Sequence, residues 1–225
     1  MSAEPVRLIE TMRVDPGNRI TLLQGHLARL RASCTALGYD WPGEAMIAAL
    51  QAHGAALDAR CTHRLRLLVG PKGSYSIDTT VLPPTPEPVT LRLSPEPLKA
   101  DPFWLRHKTT HRPWYAAAQQ WLDAHPACFD IVFCNEGDGL CEGTRTNVYV
   151  RDGSGNWLTP LLENGALPGV QRQALLDAGR VREAALTRND FLAAPSIRVS
   201  NALRGWLDAC IEPRMDPGMH PIMVS

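Results

Sequence analysis

Two stretches decide how this chain reads: Trp104-Leu105-Arg106-His107-Lys108-Thr109-Thr110-His111-Arg112 and Gly139-Leu140-Cys141-Glu142-Gly143-Thr144-Arg145-Thr146-Asn147. Lysine is scarce, since Lys72, Lys99 and Lys108 are the only three, whereas arginine is plentiful. Lys72 lies in a Gly-Pro-Lys-Gly turn and Lys99 in a proline-rich connector, both settings that leave an amine in water. Lys108 instead follows Phe103-Trp104-Leu105 and precedes two threonines. A partly apolar setting of that kind lowers an amine's pKa and makes it a usable nucleophile or base. A lone lysine is most often a solvated surface group, so the stretch gains meaning only from the rest of the chain.

At 225 residues the chain suffices for one large domain or two modest ones sharing an interface. Basic and acidic residues balance at 23 each, so no overall field favours nucleic acid or an anionic membrane. The segment Met1-Ser2-Ala3-Glu4-Pro5 has neither a basic lead nor an apolar core, which argues against a secretory signal. No apolar run approaches the roughly 20 residues that span a bilayer. The six cysteines show no C-x-x-C pair and no zinc spacing, and of the seven histidines only His107 and His111 stand at i, i+4, with no cysteine or acid beside them, so no metal site is expected. The cysteines read as small buried hydrophobes in a reducing cytoplasm.

Arg7 to Val14 alternates loosely into the turn Asp15-Pro16-Gly17-Asn18, a strand entering a hairpin. Leu23, Leu27, Leu30, Cys34 and Leu37 recur at helical spacing, and Gly38 stops that helix. A second helix is expected from Glu44 to about Leu57, then a strand over Leu65–Val69 and a return strand at Tyr75 and Ile77. Six prolines lie between Leu82 and Pro97, yet Val89–Ser94 alternates and reads as the last strand of the first half. The expectation is an α+β fold of two domains, a small one over residues 1–100 and a larger one over 101–225. In the second half a helix is expected from Pro113 to about Ala124, with Trp114, Ala117, Ala118, Trp121 and Leu122 inward. Strands follow at Phe129–Cys134, Asn147–Val150, Trp157–Thr159 and Ile197–Asn201. Leu167-Pro168-Gly169-Val170-Gln171 opens another helix, whose first N–H groups are free to bind an anion.

Together these motifs resemble the class IV aminotransferase family, pyridoxal phosphate enzymes of fold type IV with the D-amino acid aminotransferase-like architecture. The resemblance runs through Ile9-Glu10-Thr11-Met12-Arg13, Gly25-His26-Leu27-Ala28-Arg29-Leu30, His107-Lys108-Thr109-Thr110, Glu142-Gly143 with Asn147, Leu167-Pro168-Gly169-Val170 and Ser200-Asn201-Ala202-Leu203-Arg204-Gly205. It implies that Lys108 is the Schiff-base lysine and that Glu142 sits against the pyridine nitrogen and keeps it protonated. Opposite charges about 3 Å apart at an effective dielectric near 20 attract by roughly 5 kcal/mol, which supports that second role. The resemblance also implies that Arg29 binds the cofactor phosphate, that Val170 and Gln171 complete the phosphate cup through their N–H groups with Asn201 or Ala202, and that Leu167 packs on the ring.

Within the family the likeness is greatest to lyase-type modules that occur alone or fused behind an aminodeoxychorismate synthase subunit. The expected reaction is therefore loss of pyruvate from 4-amino-4-deoxychorismate to give 4-aminobenzoate for folate synthesis, with Lys108 as base and acid. A small anionic amine needs cationic partners, and Arg13, Arg112 and Arg204 are the candidates. The alternative is transamination of a branched-chain or D-amino acid. Against it, family aminotransferases carry a tyrosine five residues after the lysine, where this chain has Pro113, and Tyr115 is expected on the wrong side of a helix start. A third reading is a non-catalytic, cofactor- or partner-binding homologue. The resemblance further implies a homodimer, with a synthase subunit as a candidate partner.

Overall fold

The computed structural model describes residues 4–212; residues 213–225, the end of the second expected domain, lie outside it. Strand β1 (Leu8–Asp15) turns into the short β2 (Arg19–Ile20), followed by helices α1 (Leu23–Leu37) and α2 (Gly43–Ala55) and by strands β3 (His63–Val69) and β4 (Tyr75–Val81). These strands form one sheet in the order β2-β1-β3-β4, with β1 antiparallel to β3 from Leu8↔Val69 to Val14↔His63. The inward phases of β1 and β3, including Leu8, Met12, Leu65 and Leu67, pack on Leu30, Cys34, Met46 and Leu50 of the two helices. Each fully buried leucine of this set contributes about 2 kcal/mol by removal from water. Gly38 ends α1 in the left-handed region at φ 66, as its position in the sequence suggested.

The remainder builds a second sheet. Strand β5 (Val89–Leu93) leads to the short helix α3 (Pro102–Leu105), a 3-10 turn at Pro113–Tyr115, helix α4 (Ala116–Ala124) and strands β6 (Asp130–Cys134), β7 (Leu140–Gly143), β8 (Asn147–Arg151) and β9 (Trp157–Pro160). Helix α5 (Val170–Asp177), β10 (Arg182–Ala184), α6 (Arg188–Ala193), β11 (Ile197–Asn201) and β12 (Gly205–Ile211) complete it. The order is β10-β9-β8-β11-β12-β5-β6-β7, and the sheet curls so that β7 returns against β8.

Three expectations change. The alternating segment at Val89–Leu93 is not the last strand of the first half, because it pairs parallel with both β12 and β6 inside the second sheet. The change of sheet therefore falls between Val81 and Val89, within the prolines. Strand β12 went unread because only Leu207 of its residues is buried, which leaves no alternation to see. The expected helix from Pro113 begins as a 3-10 turn, and that turn carries Tyr115 inward while Ala117 stays exposed.

One buried acid fixes the turn between β7 and β8. Asp130, fully enclosed at the start of β6, accepts from the Thr144 N–H (2.9 Å), the Thr144 hydroxyl (2.6 Å), the Arg145 N–H (3.2 Å) and the Thr146 hydroxyl (2.7 Å). Gly143 is required beside it, since a Cβ there would overlap the Asp130 carboxylate. Removing this acceptor leaves several buried donors unmatched. Asp130→Ala is expected to lower unfolding stability by about 3 kcal/mol in urea titrations, and a loss below about 1 kcal/mol would contradict this role.

Candidate active site

A cavity of about 240 Å³ lies where β1 and α1 meet the second sheet, and Lys108, Glu142, Arg29, Arg112, Val170 and Arg204 all line it. Lys108 is held there by backbone bonds to the first sheet. Its carbonyl accepts from the Ile9 N–H at 2.8 Å, Thr109 bridges to Leu8, and the Thr110 N–H donates to the Arg7 carbonyl at 2.9 Å. The lysine segment is thus an added strand-like edge on β1. Burial, with the charges of Arg112 and Arg29, pulls the Lys108 amine down to about 7. A large share of the amine is then neutral at pH 7.

Glu142, near the end of β7, is buried at 5% exposure and accepts three neutral donors. The Tyr115 hydroxyl reaches Oε1 at 3.0 Å, while the Leu167 N–H and the Asn147 amide reach Oε2 at 2.9 and 3.3 Å. Burial pushes its carboxyl up to about 7, against the opposing pull of Arg112, the Leu167 N–H, the Tyr115 hydroxyl and Lys108. Among the described residues no ion pair satisfies it. The Asn147 amide also donates to the Leu167 carbonyl at 2.9 Å, so Leu167 is fixed from both sides.

Arg29 projects from α1 and is forked onto Glu10, Nε to Oε1 at 2.9 Å and Nη2 to Oε2 at 2.6 Å, with Nη1 donating to the Pro168 carbonyl at 3.3 Å. His26 Nδ1 lies 2.6 Å from the same Glu10 Oε2. Burial opposes the Glu10 charge, but Arg29 and His26 overcome it and hold the carboxyl down at about 2. Arg29 is thereby aimed at the start of α5, whose first-turn N–H groups have no acceptor within the helix. Two glycines permit the approach: a Cβ on Gly25 would meet Val170 Cγ1 at 2.8 Å, and one on Gly169 would overlap Asn147 Oδ1.

The remaining expected residues separate. Val170, Leu167, Asn201 and Ala202 line the cavity. Gln171 does not, and only its N–H at the helix start is placed for an anion. The Asn201 amide is engaged between loops, donating to the Arg145 carbonyl at 3.3 Å and accepting from the Leu203 and Arg204 N–H groups at 3.1 and 2.8 Å. Arg112 donates to the Thr144 carbonyl at 2.6 Å and stacks 4.6 Å above the Tyr115 ring. Arg13 pairs with Asp15 at 2.6 Å and faces an adjoining recess that it shares with Arg204.

Sequence reasoning assigned no role to Glu10, His26, Tyr115, Asp130 or Arg145. Glu10 carried a signal: it occupies the same strand phase as Leu8, Met12 and Val14, which puts a carboxylate at a core position. His26 and Ser33 are buried and Arg29 is partly so, a polar stripe on α1 beside its apolar one. Tyr115 was expected to face away, and the 3-10 turn reverses that.

The fold and this site define the class. The chain belongs to the aminotransferase class IV family, whose sequence model matches residues 7–210, and the family is pyridoxal phosphate-dependent. A Schizosaccharomyces pombe protein provisionally named an aminodeoxychorismate lyase is 30% identical over 80% of this chain and 77% of its own. A Mesorhizobium loti structure provisionally described as an amino-acid aminotransferase superposes with TM-score 0.83 at 34% identity, covering 92% of this chain and 100% of that one. The 4-amino-4-deoxychorismate lyase of Pseudomonas aeruginosa shares the fold, with TM-score 0.70 at 21% identity over 91% of this chain and 82% of its own.

Two outcomes test the electrostatics. Amine labelling of the cofactor-free protein by acetic anhydride, read by peptide mass spectrometry, is expected to rise at Lys108 through about pH 7, because only the neutral amine reacts. A midpoint above pH 9 would contradict the lowered value. Glu10→Gln keeps shape but removes the charge that orients Arg29. It is expected to weaken pyridoxal phosphate binding about tenfold or more in absorbance titrations, whereas an unchanged affinity would show that Arg29 needs no anchor.

Proposed function

We propose that the protein is a pyridoxal phosphate-dependent lyase that converts 4-amino-4-deoxychorismate into 4-aminobenzoate and pyruvate, a step of folate synthesis. The residues present suit the cofactor. Glu142 is a buried carboxylate lacking a cation, the complement of a protonated ring nitrogen. Arg29 and the N–H groups of Val170 and Gln171 suit a phosphate dianion. Leu167 suits a ring face, and Lys108 Nζ is the amine that would hold the aldehyde carbon.

When bound, pyridoxal phosphate supplies an electron sink for charge developing at the carbon next to the substrate amine. Lys108, with an amine near 7, accepts the proton from that ring carbon. The bond from the neighbouring ring carbon to the ether oxygen then breaks, the ring becomes aromatic, and Lys108 Nζ returns a proton to the enolpyruvyl methylene carbon, giving pyruvate. Atoms balance without water or an acceptor.

The observation that carries this reading is a surplus of cations. With Arg29 assigned to phosphate, Arg112 and Arg204 still face the cavity and have no acidic partner among the described residues. A simple amino acid brings one carboxylate, whereas aminodeoxychorismate brings two. The relative named as a lyase supports the same reading. Amine transfer remains the second reading, favoured by the 34%-identical structure described as an aminotransferase. Pro113 still argues against it, because the Tyr115 hydroxyl is spent on Glu142, the acid assigned to the ring nitrogen, and Tyr115 is not among the residues lining the cavity. The proposal includes a homodimer acting in the cytoplasm, with an aminodeoxychorismate synthase subunit as candidate partner. Among the described residues no helix is long and apolar enough to cross a membrane.

Purified protein with cofactor and aminodeoxychorismate, without any keto acid, is expected to form pyruvate and 4-aminobenzoate in equal amounts. Lys108→Ala should reduce that rate by roughly a thousandfold. Product that appears only with a keto acid acceptor would overturn the lyase in favour of the transferase.

A further inference from the structure

Arg145 lies outside every role assigned so far. It sits in the turn between β7 and β8, and Arg204 sits in the turn between β11 and β12. Because β8 and β11 are neighbours, with Ser200 opposite Asn147, both turns leave the same end of the sheet side by side. One side chain ties them together. The Asn201 amide donates to the Arg145 carbonyl and accepts from the Arg204 N–H, so the two arginine backbones are fixed relative to each other. From the other side Asp130 holds the Arg145 N–H at 3.2 Å.

Both side chains line the cavity that contains Lys108. Among the described residues no carboxylate pairs with either. The Arg204 guanidinium donates to the Pro83 carbonyl at 2.7 Å, and that of Arg145 lies 5.9 Å from the Phe129 ring centre. Burial and the neighbouring charges of Arg13 and Arg145 lower the Arg204 pKa from its ordinary value, a sign that these cations repel without an anion between them. Arg13 has Asp15, whereas among the described residues the other two have no acidic partner. Two rigidly based guanidiniums with unused donors make a seat shaped for a planar carboxylate.

We infer that Arg145 and Arg204 together bind the second carboxylate of the substrate, and that Arg145 selects dianionic over monoanionic ligands. This rests on the lyase reading for the identity of the substrate, while the seat itself is defined by its charge and geometry. Arg145 is exposed in the turn, so its replacement leaves the core intact.

The test uses the cofactor-loaded protein with two ring carboxylates, benzene-1,3-dicarboxylate and benzoate, whose dissociation constants are read from cofactor absorbance and thermal shift. The dicarboxylate is expected to bind the parent protein about tenfold more tightly than benzoate. Arg145→Gln should remove that advantage, leave benzoate within about twofold, and leave the cofactor spectrum unchanged; Arg145→Lys should retain part of it. With aminodeoxychorismate, Arg145→Gln should raise KM about tenfold while kcat stays within about twofold. Equal binding of the two probes by the parent protein, or equal weakening of both by Arg145→Gln, overturns the seat. Absence of pyruvate from aminodeoxychorismate sinks the lyase reading alone, because the probe comparison needs no turnover.

Discussion

The lysine segment is hydrogen-bonded to the edge of β1, and the rest of the site depends on that attachment. Through Lys108 O to Ile9 N, Thr109 to Leu8 and Thr110 N to Arg7 O, a stretch of the second half of the chain becomes part of the first sheet. The Lys108 backbone therefore cannot move without β1, and β1 also carries Glu10, which orients Arg29. One strand thus sets both the nucleophilic amine and the guanidinium aimed at the start of α5. Backbone bonds of this kind hold position without depending on side-chain rotamers, as a site required to hold two reacting groups in register demands.

Charge balance follows from that geometry. Glu10 neutralises Arg29 and shares His26, a buried arrangement whose desolvation cost is offset by a fork of short bonds. Glu142 receives only neutral donors, from Tyr115, Leu167 and Asn147. Its carboxyl is raised and the Lys108 amine lowered, both by burial, so each is poised near neutrality in the absence of a third charge between them. On the proposed reading the cavity would be completed by a cationic ring nitrogen for Glu142, a dianion for Arg29 and α5, and carboxylates for the arginines opposite.

Much of this was legible in the sequence, and the failures have physical causes. The helices α1 and α2 announced themselves by apolar spacing, and Gly38 by its place after the last apolar residue. Lys108, Glu142, Arg29, Leu167 and Val170 were named from motifs and converge on one cavity. Glu10 passed unremarked because a loosely alternating strand was read for its period and not for the polar residue at its core phase. Pairing across long sequence separations was invisible: β5 looked like a neighbour of β4 in the chain, yet its partners are β6 and β12. Tyr115 was misjudged because a 3-10 turn rotates side chains differently from the α-helix that Pro113 suggested. The roles of Asp130 and Arg145 exist only through contacts that spacing does not encode.

The most direct measurement is borohydride reduction of the protein loaded with pyridoxal phosphate, followed by peptide mass spectrometry to locate the added pyridoxyl group. The account predicts that the group is found on Lys108 and that Lys72 and Lys99 stay unmodified. A label on either of those two, or none at all, would contradict a site built around a lysine stapled to the first strand.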